Sequence, residues 1–279
     1  MEYEKLSPYR KQVYDRIKQY EKEEKFDCDV EDDPPSPVLM PDKVDYLCEK
    51  CSSKIMTKIA NRAAINFFEK MIKKGGFVLD GIEGIENYRT VDGGAIITCN
   101  HFSMYDHYIV YRSIRNELPK GKQLYKVIRE GNYTGFKGLF GMFFRHCNTL
   151  PLSSNSQTMV KFLKSLKVLL SRGEKVLIYP EQAMWWNYRK PRPMKNGAFK
   201  LAAKNNVPII PSFILTKETD NLDSDGANIL SCKMVFLPPI YPKDGLNEKE
   251  NAEYLKDENY KAWKELYEQY YGEPLKYGE

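Results

Sequence analysis

The sequence predicts an α/β protein: one domain with a mixed, largely parallel sheet flanked by helices, preceded by N-terminal helices and closed by a C-terminal helix. Three observations carry this. Short apolar or β-branched runs recur at residues 77–79, 95–99, 124–128, 149–152, 176–179, 209–215 and 234–237, each of strand length. Helical patterns separate several of them, at 104–115, 135–144, 157–172 and 198–204. The chain has 279 residues, 42% of them hydrophobic and 13% aromatic, so it can bury a substantial core as one large domain.

The elements follow in order. Ser7-Pro8 is a cap followed by proline at the first helical position, and it opens a charged helix over residues 7–25. The stretch DCDVEDDPPSPV is acidic and proline-rich and reads as a linker or a draped arm, so residues 1–42 form a helix and arm. A long helix is predicted from Val44 to Lys74, ended by Gly75-Gly76. Ile55, Ile59, Ala63, Phe67 and Met71 recur every fourth residue, with Met56, Ala60, Ala64, Phe68 and Ile72 beside them, giving a wide apolar face. Lys54, Lys58, Arg62, Lys70 and Lys74 flank it, so residues 43–76 suit either a membrane interface or the protein core with a solvated basic edge. Residues 77–240 hold the alternating strands and helices, and 241–279 carry a charged, Tyr-rich helix from Asn247 to Tyr271.

Charge and composition exclude several classes. Lys and Arg outnumber Asp and Glu by 43 to 38, a net charge of +5 that suits an anionic partner such as a phosphorylated lipid or an anionic membrane surface. The excess is too small for a dedicated nucleic-acid binder, and no nucleic-acid module pattern is present, so no nucleic-acid partner is expected. No basic region followed by an apolar one opens the sequence, and no window approaches 18 uninterrupted apolar residues. A cytoplasmic location without a simple spanning helix is the expectation. Of six cysteines only Cys48 and Cys51 are close, which reads as inert thiols rather than a zinc or redox pair. Three histidines without compatible cysteine or carboxylate spacing make no metal site, so none is expected.

The chemistry concentrates in TCNHFSMYDHY, residues 98–108. His101 follows an apolar run that ends at Asn100, the C-terminal end of a strand, where α/β sheets place catalytic groups. Asp106 is five positions on. A carboxylate holding one ring nitrogen leaves the other as a general base. Ser103 and Asp106 are also spaced as a capping box, which alone makes Asp106 a helix-start residue. G-x-S-x-G is absent, so the nucleophile must come from a substrate.

The segment GIENYRTVDGGAIITCNHFSMYDHY resembles the first block of the glycerolipid acyltransferases, the 1-acylglycerol-3-phosphate acyltransferase family, whose hallmark is Asn-His, four residues, Asp. GMFFRHCNTLPL resembles the second block, VLIYPEQAM the third, normally Phe-Pro-Glu-Gly-Thr-Arg, and VPIIP the fourth. Four blocks in order over residues 77–215 are far more specific than any one. The resemblance implies a glycerol-3-phosphate acyltransferase-like fold. It implies transfer of a fatty acyl group from a thioester donor, acyl-CoA or acyl carrier protein, to a hydroxyl of a lysophospholipid such as 1-acylglycerol-3-phosphate, with no cofactor beyond that co-substrate. His101 becomes the general base and Asp106 its orienting partner. Arg145 and Glu181 are assigned to the acceptor's phosphate and hydroxyls, and Asn100, Gly141 and Pro180 to the same substrate site. Without the resemblance, Arg145 reads as a surface charge and Glu181 as a loop residue.

The chain departs from the third block, having Gln182-Ala183-Met184 and then Trp185-Trp186 where Gly-Thr-Arg is usual. Arg189, Lys190, Arg192 and Lys195 are the replacement cations in reach. A glycolipid or other envelope lipid is the alternative acceptor, and a catalytically inactive lipid-binding protein the alternative class. The Trp pair suits a pocket wall, a bilayer interface or core packing. The resulting expectation is a peripheral protein on the inner face of a membrane.

Overall fold

The computed structural model describes residues 2–33 and 35–278; Met1, Pro34 of the acidic arm and Glu279 lie outside the described residues. In chain order the elements are α1 (Pro8–Lys22), α2 (Cys51–Lys73), β1 (Val78–Glu83), α3 (Ile85–Arg89), β2 (Ala95–Thr98), α4 (Asp106–Ile114), β3 (Leu124–Ile128), α5 (Glu130–Gly135) and α6 (Gly138–His146). They continue with β4 (Thr149–Pro151), α7 (Ser156–Ser171), β5 (Lys175–Ile178), α8 (Gly197–Asn205), β6 (Ile209–Leu222), β7 (Asn228–Phe236) and α9 (Glu248–Tyr271). The strands form one sheet in the order β1-β7-β6-β2-β5-β3-β4. Every pairing is parallel except β6 with β7, so the sheet is mixed and largely parallel.

Alternating side chains feed two cores. Ile97 and Leu177 point into a cluster with Phe68 of α2 and Tyr108, Ile109 and Val110 of α4. Ile96, Val176 and Ile178 point the other way, among Phe162, Leu166, Phe199 and Leu255 of α7, α8 and α9. All four residues of β2 and of β5 are buried, the pattern of strands covered on both faces. The loops after β2, β5, β3 and β4 consequently share one edge of the sheet.

Three boundaries differ from the sequence expectations. The long helix starts at Cys51, not Val44. The Asp45 carboxylate accepts the Glu49 and Lys50 N–H groups at 3.1 and 3.0 Å, and Cys48 sits at φ 51°, so a side-chain-bonded turn replaces the first helical turns. The segment at 135–144 is split, because Phe136 is extended between α5 and α6. The β6–β7 pair runs well beyond the apolar residues as an exposed polar hairpin, from Lys217 to the Asp223 turn, whose carboxylate accepts the Asp225 and Ala227 N–H groups. Cross-strand bonds carry that extension, and they leave no apolar signature.

The N-terminal segment lies against the sheet edge. Ser7 caps α1 through the Arg10 N–H, with Pro8 at the first helical position. Val13, Ile17, Phe26 and Val30 bury Trp185 and Trp186. The arm continues past Lys195, paired with Asp27, to the loops after β3 and β4, where the Leu39 N–H donates to Glu130 at 3.0 Å. Both indoles are therefore core groups: Trp185 is fully buried, donates to the Cys28 carbonyl at 2.9 Å and stacks on Phe26.

Candidate active site

His101 and Asp106 meet at the C-terminal end of β2. The ring Nδ1 lies 2.6 Å from Asp106 Oδ2. Asp106 is the first residue of α4, so the chain's turn from strand to helix brings the pair together. The carboxylate is 1% exposed and the imidazole 23%, leaving the ring open to an incoming group. Asp106 also accepts the Phe102 and Ser103 N–H groups at 3.3 Å and the Tyr179 hydroxyl at 2.7 Å. Its bond to Ser103 is one half of the capping-box spacing, so a helix-start role and a histidine-holding role coexist.

Burial pushes the Asp106 pKa up, but the charge and hydrogen bond of His101 and the bond from Tyr179 outweigh it and hold the carboxyl below its usual value. A depressed folded value contributes stability above the ordinary carboxylate range, and that contribution is lost as pH falls through the folded value. A neutral imidazole that donates Nδ1–H to this carboxylate has its lone pair on Nε2. Tyr179 stacks flat on the imidazole, ring centroids 4.0 Å apart and planes at 13°. Burial and the neighbouring Asp106 charge raise its hydroxyl pKa well above normal, so it stays a donor.

Behind this pair the backbone is clamped from two sides. Asn100 is buried, and its side chain takes both the N–H and the carbonyl of Ile214 on β6, at 2.8 and 3.1 Å. The amide acts as a one-residue continuation of the sheet ladder. Glu181 is 2% exposed and accepts the His101 N–H at 3.1 Å. Its remaining bonds go to Arg192: the backbone N–H at 2.8 Å and the guanidinium at 3.0 Å. Arg192 is fully buried, donates to the Ala183 and Phe26 carbonyls, and lies 4.8 Å over the Trp185 ring. The resemblance assigns Glu181 to the acceptor; here both its oxygens face the chain. Pro180 is buried beside it and its carbonyl accepts the Lys195 N–H. Of the four replacement cations, Arg192 alone reaches Glu181, while Arg189, Lys190 and Lys195 pair with Glu273, Glu21 and Asp27.

Arg145 and Gly141 lie on α6. The Arg145 guanidinium donates to the Phe136 carbonyl at 2.9 Å and the Tyr133 carbonyl at 3.4 Å. A Cβ at Gly141 would sit 2.3 Å from the Phe136 oxygen and 2.7 Å from Arg145, so glycine is what lets this arginine fold back on the turn between α5 and α6. No pattern pointed to Arg129, at the end of β3. It is held by Asp29 and Asp33 of the arm, half exposed, beside a cavity of about 370 Å³ that also borders Glu130, Ser153 and Ser154. Tyr179, Arg192 and Arg129 join the site through space: Tyr179 ends an apolar run before Pro180, Arg192 is one of the four cations that the third block offered, and Arg129 carried no sequence signal. His107 is half-buried against Phe68: burial and then the Lys126 charge lower its pKa to about 4.

The Acyltransferase family model matches residues 81–215, a stretch that contains His101, Asp106, Arg145 and Glu181. The matched stretch is just under half of the chain. The chain is 28% identical over 173 residues to 1-acyl-sn-glycerol-3-phosphate acyltransferase BAT2, chloroplastic, of Brassica napus, covering 59% of this chain and 46% of that one. It is 29% identical over 131 residues to 1-acyl-sn-glycerol-3-phosphate acyltransferase LPAT1, chloroplastic, of Arabidopsis thaliana, covering 47% and 34%. The chain thus spans less than half the length of these curated relatives. Among solved structures, the 1-acyl-sn-glycerophosphate acyltransferase PlsC of Thermotoga maritima aligns at a TM-score of 0.49 and 20% identity, covering 80% of this chain and 81% of that one. Arg192, eleven residues beyond Glu181, is the cation that contacts this glutamate.

Proposed function

We propose that this chain is an O-acyltransferase that moves a fatty acyl group from a thioester donor to the free hydroxyl of a lysophospholipid, 1-acylglycerol-3-phosphate. The observation that carries the reading is the His101–Asp106 contact: an accessible imidazole, oriented by a buried ionised carboxylate, within the family-matched stretch. His101 Nε2 takes the proton of the acceptor hydroxyl as its oxygen attacks the thioester carbonyl. Collapse of the tetrahedral adduct breaks the C–S bond, and the imidazolium returns the proton to the departing thiolate. No acyl-enzyme is needed, since the two substrates are held side by side.

Arg129 is the cation we assign to the acceptor's phosphate. It stands on the same sheet edge as His101, lines a cavity, and is bound by two carboxylates, which occupy it as two phosphate oxygens would. Glu181 and Arg192 act as positioning residues that fix the His101 backbone. Gln182-Ala183-Met184 therefore does not remove the phosphate site, and a phosphorylated acceptor is favoured over a glycolipid.

A peripheral membrane position completes the reading. Among the described residues no helix is long and apolar enough to cross a membrane. The N-terminal half of α2 leaves Ile55 and Ile59 more than half exposed, and Leu139 of α6 is exposed as well. Lys54, Lys58 and Arg62 flank these side chains, an arrangement suited to anionic lipid.

The direct test supplies acyl-CoA and a panel of lysolipids to the parent and to His101→Ala. Acylated 1-acylglycerol-3-phosphate from the parent, with a loss on the order of 10³-fold or more in the variant, is the expected result. Free fatty acid without acylated lipid, or equal turnover by both proteins, contradicts it. For the membrane contact, Lys54→Glu with Lys58→Glu and Arg62→Glu is expected to lower co-sedimentation with anionic vesicles by at least about tenfold, each cation near the surface contributing about 1 kcal/mol. Unchanged binding assigns that face to another role.

A further inference from the structure

Tyr179 carries a hydroxyl that the resemblance does not call for, since the third block normally has phenylalanine before its Pro-Glu. Its placement follows from the strand. β5 pairs with β2 as far as Thr98 and Ile178, and side chains alternate along it, so Ile178 faces α7 and α8 while Tyr179 faces the α4 side. Asp106 opens α4 on that face. The phenol therefore reaches both members of the pair at once. Its ring lies on the imidazole, centroids 4.0 Å apart, and its hydroxyl donates to Asp106 Oδ1 at 2.7 Å.

The two oxygens of Asp106 have different donors. Oδ2 accepts from His101 Nδ1 at 2.6 Å and from the Phe102 and Ser103 N–H groups at 3.3 Å. Oδ1 accepts, among the described residues, from Tyr179 alone, and the carboxylate is 1% exposed. A buried carboxylate oxygen stripped of its donor bears its full desolvation cost, so the group turns toward another donor or takes a proton. The neighbouring titratable groups do not replace the phenol. Burial and then the Lys126 charge lower the His107 pKa on α4 to about 4. Burial and then the Asp106 charge raise the thiols of Cys99, just past β2, and of Cys232 on β7, the latter to about 12. These three groups are therefore neutral where an imidazole base works. Glu181 and Arg192 pair with each other behind the His101 backbone.

We infer that Tyr179 is a positioning residue, its hydroxyl pinning the second oxygen of Asp106 so that the first stays on Nδ1 and Nε2 faces the acceptor. The inference rests on the acyl-transfer reading above and deepens it by extending the pair to a Tyr–Asp–His chain. The phenol keeps its proton throughout, because burial and then the Asp106 charge raise its pKa well above normal. Only the acceptor's proton moves, to Nε2 and then to the departing thiolate. The chain also sets a direction for pH dependence. Burial raises the Asp106 pKa, and His101 and then Tyr179 lower it, so loss of the hydroxyl moves protonation of the carboxyl to higher pH.

Tyr179→Phe tests this, since it removes one oxygen and keeps the ring. In acyl transfer to 1-acylglycerol-3-phosphate the variant is expected to lose about tenfold in kcat near neutrality and to hold the acceptor KM within about twofold. The acidic limb of its kcat/KM profile, which belongs to the His–Asp pair as a unit, is expected to move up by at least about half a pH unit. In an Asp106→Asn background the same change is expected to alter the single-turnover rate by less than about twofold, because the hydroxyl acts through the carboxylate. Proton NMR reads the contact without turnover: the Nδ1–H resonance that disappears in His101→Ala is expected to lie further downfield in Tyr179→Phe. An unmoved acidic limb, an undiminished kcat, or an equal loss in the Asp106→Asn background overturns the inference and leaves the acyltransferase reading intact. An unmoved resonance overturns it whatever the activity. A parent protein that transfers no acyl group overturns that reading instead, and a resonance shifted in Tyr179→Phe then still supports the coupling of Tyr179 to His101 through Asp106.

Discussion

Two arginine contacts with carboxylates stand on the same edge of the sheet and have opposite consequences. Arg192 and Glu181 are 1% and 2% exposed, and each is further bonded to backbone around His101. Arg129 with Asp29 and Asp33 is about half exposed and sits on a cavity. A buried pair that loses one partner leaves an uncompensated charge in a medium that solvates it poorly, so it fixes geometry. An exposed pair is worth little to the fold, so its arginine can be lent to a ligand. The same two residue types thus build a buried scaffold in one place and, in the other, an exposed pair whose arginine we propose as a binding group.

The largest expected effect comes from the buried pair. Arg192→Met is expected to destabilise the fold by about 3–5 kcal/mol, read by chemical denaturation, because Glu181 is left charged and dry. Adding Glu181→Leu is expected to recover part of that stability but to lower turnover further, since the His101 N–H then loses its acceptor. A stability change in Arg192→Met no larger than that of a surface substitution breaks the contrast. At the exposed pair the pattern reverses. Arg129→Ala is expected to change stability by less than about 1 kcal/mol and to raise the acceptor KM about tenfold, the loss of one phosphate contact. Asp29→Asn with Asp33→Asn is expected to lower that KM a few-fold, as the competing carboxylates are neutralised. A larger effect on folding than on KM at Arg129 contradicts the assignment.

What the sequence made legible follows the same division. His101, Asp106 and Asn100 lie within seven positions of one another at a strand end, and a local motif on a local turn survives folding unchanged. The sheet was legible because β2 and β5 are buried on both faces and read as continuous apolar runs. Arg129 was not, and Arg192 was legible only as one of four cations, because each reaches the site from a different loop and looks in sequence like any solvated cation. At Glu181 the motif's position is kept, and its oxygens accept from the His101 N–H and from Arg192, partners that spacing does not register. The turn at residues 45–50 was missed for a smaller reason. One carboxylate, Asp45, outcompetes the helix for two N–H groups, and residue periodicity does not register such bonds.

In the proposed reaction an ionised Asp106 holds His101 so that Nε2 can take a proton. Single-turnover acyl transfer by Asp106→Asn, on protein whose circular dichroism matches the parent, tests this most directly. A fall in rate on the order of 10³- to 10⁴-fold, with acceptor affinity held within about threefold, is the predicted result. A rate equal to that of the parent contradicts the account.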